Sequence, residues 1–482
     1  MRISYALRLV GCLFLVAGTM TAATTLTATI SGWFANDGRN VRNGIQTLQN
    51  YAVGWDPVDF EQGVLLRDFF VFNLSGVSGT IVSATLNLYL PNNPPDSGLG
   101  YLSFEASEPY QLTSTTGTSV ADIVQIYGPG SSKGLSIFNT LGTGTVFAST
   151  TVTAADDGTT LHLALNAAGL AFLNSNQGNS IVLSGQDPAA PSSGPTSSDC
   201  STCRFFFTNT DPTGAFFKQT PKVTLDLSFA PVPTVTTVIS AGAYGGFSAV
   251  APGTWVEIYG SNLAPDTRQW AGSDFNGNNA PTSLDGVQVT IGGQKAFIDY
   301  IASSPGQINA QLPSNISTGG TLPLTVNNGT VSSAPFNVTV NTTEPGLLAP
   351  SAFQIGAKQY VVALLPDGAT YVLPTGAITG VASRPAHPTE TITLYGIGFG
   401  GVTPSIAAGL IETQINLLAA SLQILFGQTP ATITYQGLAP GFVGLYQFDV
   451  VVPAVPDSDL VPLTFNLGGV AGSQTLYIAV HQ

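Results

Sequence analysis

The chain has 482 residues, of which only 8% are charged, with 54 glycines, 32 prolines and a formal net charge of −14. That length allows about two to four domains with well-buried cores, and the Gly- and Pro-rich, charge-poor composition suits short strands joined by turns better than long helices. The acidic balance argues against nucleic acid and anionic membrane surfaces as partners, because both require basic patches.

The first 23 residues read as a secretory signal peptide. Arg2 and Arg8 precede the apolar run "LVGCLFLVAG", and small residues follow at Thr21, Ala22 and Ala23. Its removal leaves 11 Lys+Arg against 27 Asp+Glu, a net charge near −16. "LVGC" at 9–12 imitates a lipoprotein box, but too little apolar sequence precedes Cys12 for that reading. No later stretch is long and apolar enough to act as a transmembrane anchor. The expected location is therefore extracellular or at the cell surface.

A first unit spans 24–230. "TIVSATLNLYL" (80–90) alternates, with Ala84, Leu86, Leu88 and Leu90 on one face and Ser83, Thr85 and Asn87 on the other. "LRDFFVFNL" (66–74) and "PKVTLDLSF" (221–229) are expected to do the same, as half-buried antiparallel strands. "TLHLALNAAGLAFLN" (160–174) predicts a strand running into a short helix, with His162 facing away from Leu161, Leu163 and Leu165. Cys200 and Cys203 form a C-x-x-C in a Pro/Ser-rich insertion. Such a pair can be a redox couple, half a zinc site or a small disulfide. In an oxidising compartment, with no histidine nearby in sequence, a local disulfide is the simplest reading.

These stretches together resemble a DNRLRE-type jelly roll, a β-sandwich of secreted bacterial proteins related to some carbohydrate-binding modules. The resemblance rests on core pattern and implies a fold more than a ligand.

Past the proline-bearing linker "APVPTVTTV" (230–238), the sequence is written twice. "APGTWVEIYGSNLAP" (251–265) matches "HPTETITLYGIGFGG" (387–401), aligning Gly260 with Gly396. "VTIGGQKAFIDY" (289–300) matches "ILFGQTPATITY" (424–435), aligning Tyr300 with Tyr435. Two further pairs of strand-like segments follow in the same order, so 231–343 and 386–482 each have the size of an Ig-like sandwich. The intervening 344–385 is too apolar for a spacer, and Asp367-Gly368 predicts a hairpin within it.

Gly396, Gly398 and Gly401 also satisfy G-x-G-x-x-G, the turn that cradles a pyrophosphate in dinucleotide-binding folds. Its duplicate has only Gly260 followed by Ser261-Asn262-Leu263, and Pro404 and Gly409 interrupt the helix that should follow. The motif without that context is weak, so a turn is expected here and no nucleotide partner.

The repeated pattern Val256, Ile258, Gly260, Leu263 and Ile392, Leu394, Gly396, Phe399 resembles the opening strand of IPT/TIG domains. "SPGQINAQLP", "ALLPDGATYV" and "LYGIGFGGVTP" are similar to the duplicated C-terminal region of secreted proteins from Solibacter-like acidobacteria. The resemblance implies an all-β chain, a jelly roll followed by two tandem Ig-like sandwiches, in a presenting or adhesive role. It implies no catalytic residue.

No nucleophile elbow, zinc-binding helix motif or His/Asp/Glu cluster appears among the three histidines and scattered acids. Paired carboxylates for glycoside hydrolysis can lie far apart in sequence. A carbohydrate-active enzyme with its acids in the jelly roll is therefore the alternative to a binding or purely structural protein. Trp33, Trp55 and Trp270 are the candidate ligand-stacking residues, while Trp255, within a strand, is expected in the core. Asp56, Asp59 and Glu61 beside Trp55 are the one acidic run a calcium ion could use, although calcium needs six or more oxygens and a solvated loop accounts for the run as well. No other cofactor is expected. A polysaccharide or a surface or matrix protein is the partner class that composition permits.

Overall fold

The computed structural model describes residues 23–40, 50–57, 63–91, 100–115, 117–194, 202–209, 222–241 and 247–482. Strands dominate, and the chain is all-β with three short α-helices among the described residues. It forms two compact units that divide at Ala230/Pro231.

The N-terminal unit pairs a four-stranded sheet, in the order Ala23–Thr27, Thr224–Phe229, Ile81–Tyr89, Thr160–Ala164, with a larger antiparallel sheet. The larger sheet runs Gly100–Ser103, Arg204–Asn209, Asn50–Asp56, Val64–Asn73, Ser180–Gln186, Glu108–Ser114, Val146–Val152, and Ile30–Ala35 also pairs with Val64–Asn73. Phe70, Phe72 and Leu183 from the large sheet and Leu86, Leu88, Leu225 and Leu227 from the small one belong to a single core. Ile81–Tyr89 and Thr224–Phe229 alternate as their sequences predict, because their outer face meets solvent.

Val64–Asn73 does not alternate. Nearly every residue in it is buried, since Phe70 and Phe72 enter the core while Leu65, Phe69 and Val71 are covered from outside by Ile123, Ile137 and Phe138. Ile137 and Phe138 belong to the helix Ser132–Thr140, started by the Ser131 side chain accepting from the Gly134 N–H. A half-buried strand was the expectation; a helical roof makes it a central one. Downstream, Thr160–Ala164 does lead into the helix Ala167–Ser175, capped by Asn166, and His162 is exposed with Nδ1 2.7 Å from Asn87 Oδ1.

In the C-terminal unit the duplication extends to strand register. The first sandwich has the sheet Thr234–Ser240, Trp255–Ser261, Gln307–Gln311, Phe297–Ala302, Arg268–Gln269. Its facing sheet contains Phe336–Val340, Gly320–Asn328, Val287–Ile291 and Gln294–Lys295. The second repeats this with Thr391–Ile397, Tyr446–Val451 and Thr432–Leu438 against Leu476–Val480, Ser458–Leu467, Leu422–Phe426 and Thr429–Pro430. Both copies break register at the same place, between Ile298 and Tyr300 and between Ile433 and Tyr435. One extra residue is thereby inserted into the strand, Asp299 in the first copy and Thr434 in the second.

The segment 344–385 completes the second sandwich. Gly346–Leu347 and Ala363–Leu364 share the edge of Thr391–Ile397, the place that Thr234–Ser240 holds beside Trp255–Ser261 in the first copy. Leu347, Val361, Ala363 and Val372 fill the second core. Asp367-Gly368 turns the hairpin between Ala363–Leu364 and Tyr371–Val372, with Asp367 Oδ1 accepting from the N–H of Ala369 and Thr370.

The glycine run has a mechanical explanation in this edge. Gly260 and Gly396 pair with Val235 and Leu347 of the incoming strands. A Cβ on Gly260 would lie 1.8 Å from the Thr234 carbonyl oxygen, and one on Gly396 would lie 2.6 Å from the Phe399 ring. Gly398 has φ +75°, and its Cβ would fall 2.1 Å from the Glu344 carbonyl oxygen. No helix occurs between Gly401 and Leu422; short strands at Val402–Thr403 and Leu417–Leu418 lie there instead. The glycines make room for neighbouring backbone and for the Phe399 ring.

Candidate functional site

The two Ig-like sandwiches lock together through a few backbone bonds. Ala280 N–H donates to Gly409 O at 2.7 Å, Ile411 N–H to Asn278 O at 2.9 Å, and Gly409 N–H to Gln311 Oε1 at 2.7 Å. The Trp255 indole Nε1–H reaches the Val443 carbonyl at 2.8 Å. Between these contacts lies a cleft of about 460 Å³ whose lining includes Trp255, Trp270, Phe275, Asp299, Asn309 and Phe442.

Strand periodicity builds its floor. In Trp255–Ser261 the side chains of Val256 and Ile258 enter the core, so Trp255 projects from the opposite face. Asn309 projects the same way between the buried Ile308 and Ala310 of its strand. Trp255 is therefore not a core residue of its own sandwich, contrary to expectation; it is half-buried against the second copy and the segment joining them.

One wall is the loop 268–275; the corresponding connection in the second copy forms the short strands Val402–Thr403 and Leu417–Leu418 instead. Trp255 and Trp270 meet edge to face with ring centres 5.6 Å apart, and Trp270 and Phe275 do so at 4.8 Å. Arg268 pins the loop, donating to Asp274 at 2.9 Å and to Asp285 Oδ1 at 2.9 Å. The guanidinium beside them holds both carboxyls below the usual carboxylate range. Trp270 N–H donates to Asp299 O at 2.8 Å, and Gln269 Nε2 to Asp299 Oδ1 at 3.0 Å. The bulge in Phe297–Ala302 thus serves as the loop's anchor.

Polar capacity remains unused there. Asn309 Oδ1 accepts from Gln307 at 2.8 Å. Asn309 Nδ2, the Trp270 indole Nε1–H and Gln269 Oε1 have no protein partner among the described residues. Aromatic faces beside a few unspent donors and acceptors can take a ligand that is apolar on one side and hydroxylated at its edge.

Of the residues singled out from sequence, Trp270 lines this cleft. Trp33 and Trp55 do not act as stacking platforms: they are 4% and 2% exposed, packed with Ala52 and Leu66 and with Phe34 and Phe69 respectively. Both lie in strands of the large sheet, where an indole fills space under neighbouring elements. Asp56 is buried, while Asp59 and Glu61 lie outside the described residues. No group of three His, Cys, Asp or Glu side chains converges among the described residues as a metal site would need. Cys203 is disulfide-bonded and buried beside Trp33, whereas Cys200 lies outside the described residues.

The N-terminal unit does gather carboxylates, which sequence reading missed because they come from separate strands. Glu108 is 0% exposed and takes a two-pronged hydrogen bond from Arg204 at 3.0 and 2.9 Å, with Ser103 Oγ at 2.6 Å. Burial works to raise its pKa, but the bonds from Arg204 and Ser103 prevail and hold it low. Asp187 beside it is pushed up to about 7 by burial, the Glu108 charge adding to the effect. Asp68, in the core with the Tyr110 hydroxyl 3.1 Å away, is pushed up to about 8 by burial against the lowering influence of that bond. Glu108, Asp187 and Asp68 are all buried.

No helix among the described residues is long and apolar enough to cross a membrane. Comparison with curated proteins gave no match. Among solved structures, a surface glycan-binding protein from Prevotella bryantii is similar at 11% identity and a TM-score of 0.16, over 51% of this chain and 41% of that one. A Bacteroides ovatus mixed-linkage glucan utilization protein, solved with a heptasaccharide, is similar at 10% identity and a TM-score of 0.23, over 98% and 69%. The chain thus spans less than half the length of the first and about two thirds of the second. At the level of sequence families, residues 247–340, which hold most of the first sandwich and the Trp270 loop, match the IPT/TIG domain.

Proposed function

We propose that the protein is a non-catalytic extracellular binding protein that seats a carbohydrate in the cleft lined by Trp255, Trp270, Phe275 and Phe442. The observation that carries this reading is the meeting of partly open aromatic rings with unspent polar atoms of Gln269, Trp270 and Asn309. Pyranose rings offer a C–H face to an aromatic ring and hydroxyls to amides and indole N–H groups. Two features suit an extracellular setting: the apolar, Arg-flanked N-terminal segment and the disulfide at Cys203. The jelly roll is the less favoured location for sugar, since its tryptophans are interior. Against an enzymatic reading, Glu108, Asp187 and Asp68 are buried, whereas a glycosidase needs two carboxyls flanking an open bond.

The test is retention of the mature chain on a panel of soluble polysaccharides, together with assay for released reducing ends. Expected is retention of wild type, its loss in Trp270→Ala, and no cleavage. Retention unchanged in Trp270→Ala, or release of sugar, would count against the proposal.

A further inference from the structure

We infer that segment 187–194 of the N-terminal unit is a proton-gated strap: Asp187 and Glu108 share one proton while it is closed, and loss of that proton releases it from the indole of Trp55.

The two carboxyls lie within hydrogen-bond reach of each other. Oxygens of two carboxylates can bond only with a proton between them. Glu108 already accepts from Arg204 and Ser103, bonds that favour its ionised form against the opposing effect of burial. The proton therefore belongs on Asp187. There Oδ1 accepts from the Ala189 N–H at 2.8 Å, while Oδ2 is buried without a partner among the described residues. A proton on Oδ2 makes it a donor to Glu108 and leaves no orphan. Burial, with the Glu108 charge adding to it, pushes the Asp187 carboxyl up to about 7, in keeping with that placement. The other charged or titratable groups acting at this cluster among the described residues are Arg204, which favours ionisation of Asp187, and Glu105 and Tyr101.

Past Asp187 the strap is held lightly. Ala190 packs against the cluster of Trp55 and Phe34, and Asn36 Nδ2 donates to Ser192 O at 3.0 Å. Beside Asn36, Asp37 and Arg39 pair with each other. Residues 188, 189 and 192–194 are exposed. Segments with so few contacts open locally at far less cost than global unfolding. Gly194 lies along the polar edge of the Trp55 indole, where a Cβ would sit 3.2 Å from Nε1. That Nε1–H is buried without a partner among the described residues, so it gains water when the strap lifts.

The direction of the gate follows from the two states. With the strap lifted, Asp187 meets water and titrates near 4. The closed state holds the proton more tightly, so closure is strongest below about 4. It weakens about tenfold per pH unit up to about 7 and changes no further beyond that.

Hydrogen exchange of the full mature chain, read by mass spectrometry on a peptide covering 187–194 from pH 5 to pH 8, is the test. After correction for the intrinsic rise with pH, wild type should exchange about tenfold faster per pH unit up to about 7 and then level off. The Trp55 indole N–H, assigned by single Trp→Phe replacements and followed by NMR, should show the same profile. That of Trp33, which belongs to a different cluster, should not. Asp187→Asn puts a permanent donor in the proton's place, and its corrected exchange should vary by less than about twofold over the range. Asp68→Asn should retain the wild-type profile, which separates the strap from titration in the core. Flat corrected exchange in wild type, or an equal rise in folded Asp187→Asn, overturns the inference. Should Asp187→Asn fail to fold, the wild-type profile decides: a rise that levels near 7 in both the strap and the Trp55 indole supports the gate, and a rise in neither or only one of them overturns it.

Discussion

Asp68 offers the sharpest physical test of the N-terminal unit. Its carboxyl lies inside the sandwich with the Tyr110 hydroxyl at 3.1 Å, and burial pushes its pKa up to about 8. In the unfolded chain an aspartate titrates near 4. The folded state therefore holds the proton more tightly, and stability must fall as pH rises through the interval between the two values. Below about 4 the group is neutral in both states and its contribution is fully present; above about 8 it is lost. Each pH unit in that interval is worth about 1.4 kcal/mol, so the full span is on the order of 5 kcal/mol. Asp187, raised to about 7, adds a fall in the same direction between about 4 and 7. Asp68→Asn removes the titration while keeping the shape. We expect urea unfolding of wild type to weaken steadily from pH 5 to pH 8, and the variant to lose distinctly less over that range. A Trp255→Phe/Trp270→Phe background isolates the unit, because Trp33 and Trp55 then supply all the indole fluorescence. Parallel pH curves for the two proteins would refute the reasoning.

Arg204→Met should cost about 3 kcal/mol or more at pH 7, since it strands the buried Glu108 charge, and adding Glu108→Gln should recover much of it in the same urea assay. Gly398→Val should lower the melting midpoint of the C-terminal unit by the equivalent of about 1–3 kcal/mol, because φ +75° strains a β-branched residue and its Cβ meets the Glu344 carbonyl. In the wild type neither NAD nor ATP should raise that midpoint; a saturable rise would revive the nucleotide reading. Gly260→Ala should speed hydrogen exchange in Thr234–Ser240, whose pairing a methyl would obstruct, and protection equal to wild type would contradict the packing described.

Much of the architecture follows from the sequence alone. Alternation in "TIVSATLNLYL" states which side chains share a face, because successive residues of a strand point oppositely. The repeated Gly260/Gly396 and Tyr300/Tyr435 mark equivalent strands, and local spacing suffices to align them. The chemistry of individual faces is another matter. Period-2 patterning cannot say what covers a face, so Val64–Asn73 looked half-buried until Ile137 and Phe138 were seen to roof it. For the same reason Trp33 and Trp55 lie inside, while Trp255, between core residues in a strand, opens into a cleft. That cleft exists only because chain segments 188 residues apart meet at the Trp255–Val443 hydrogen bond. Glu108 and Arg204 likewise come from strands 96 residues apart that share one sheet. Strand identity is a local property of side-chain pattern; the sites depend on which strands become neighbours, and long-range packing alone decides that.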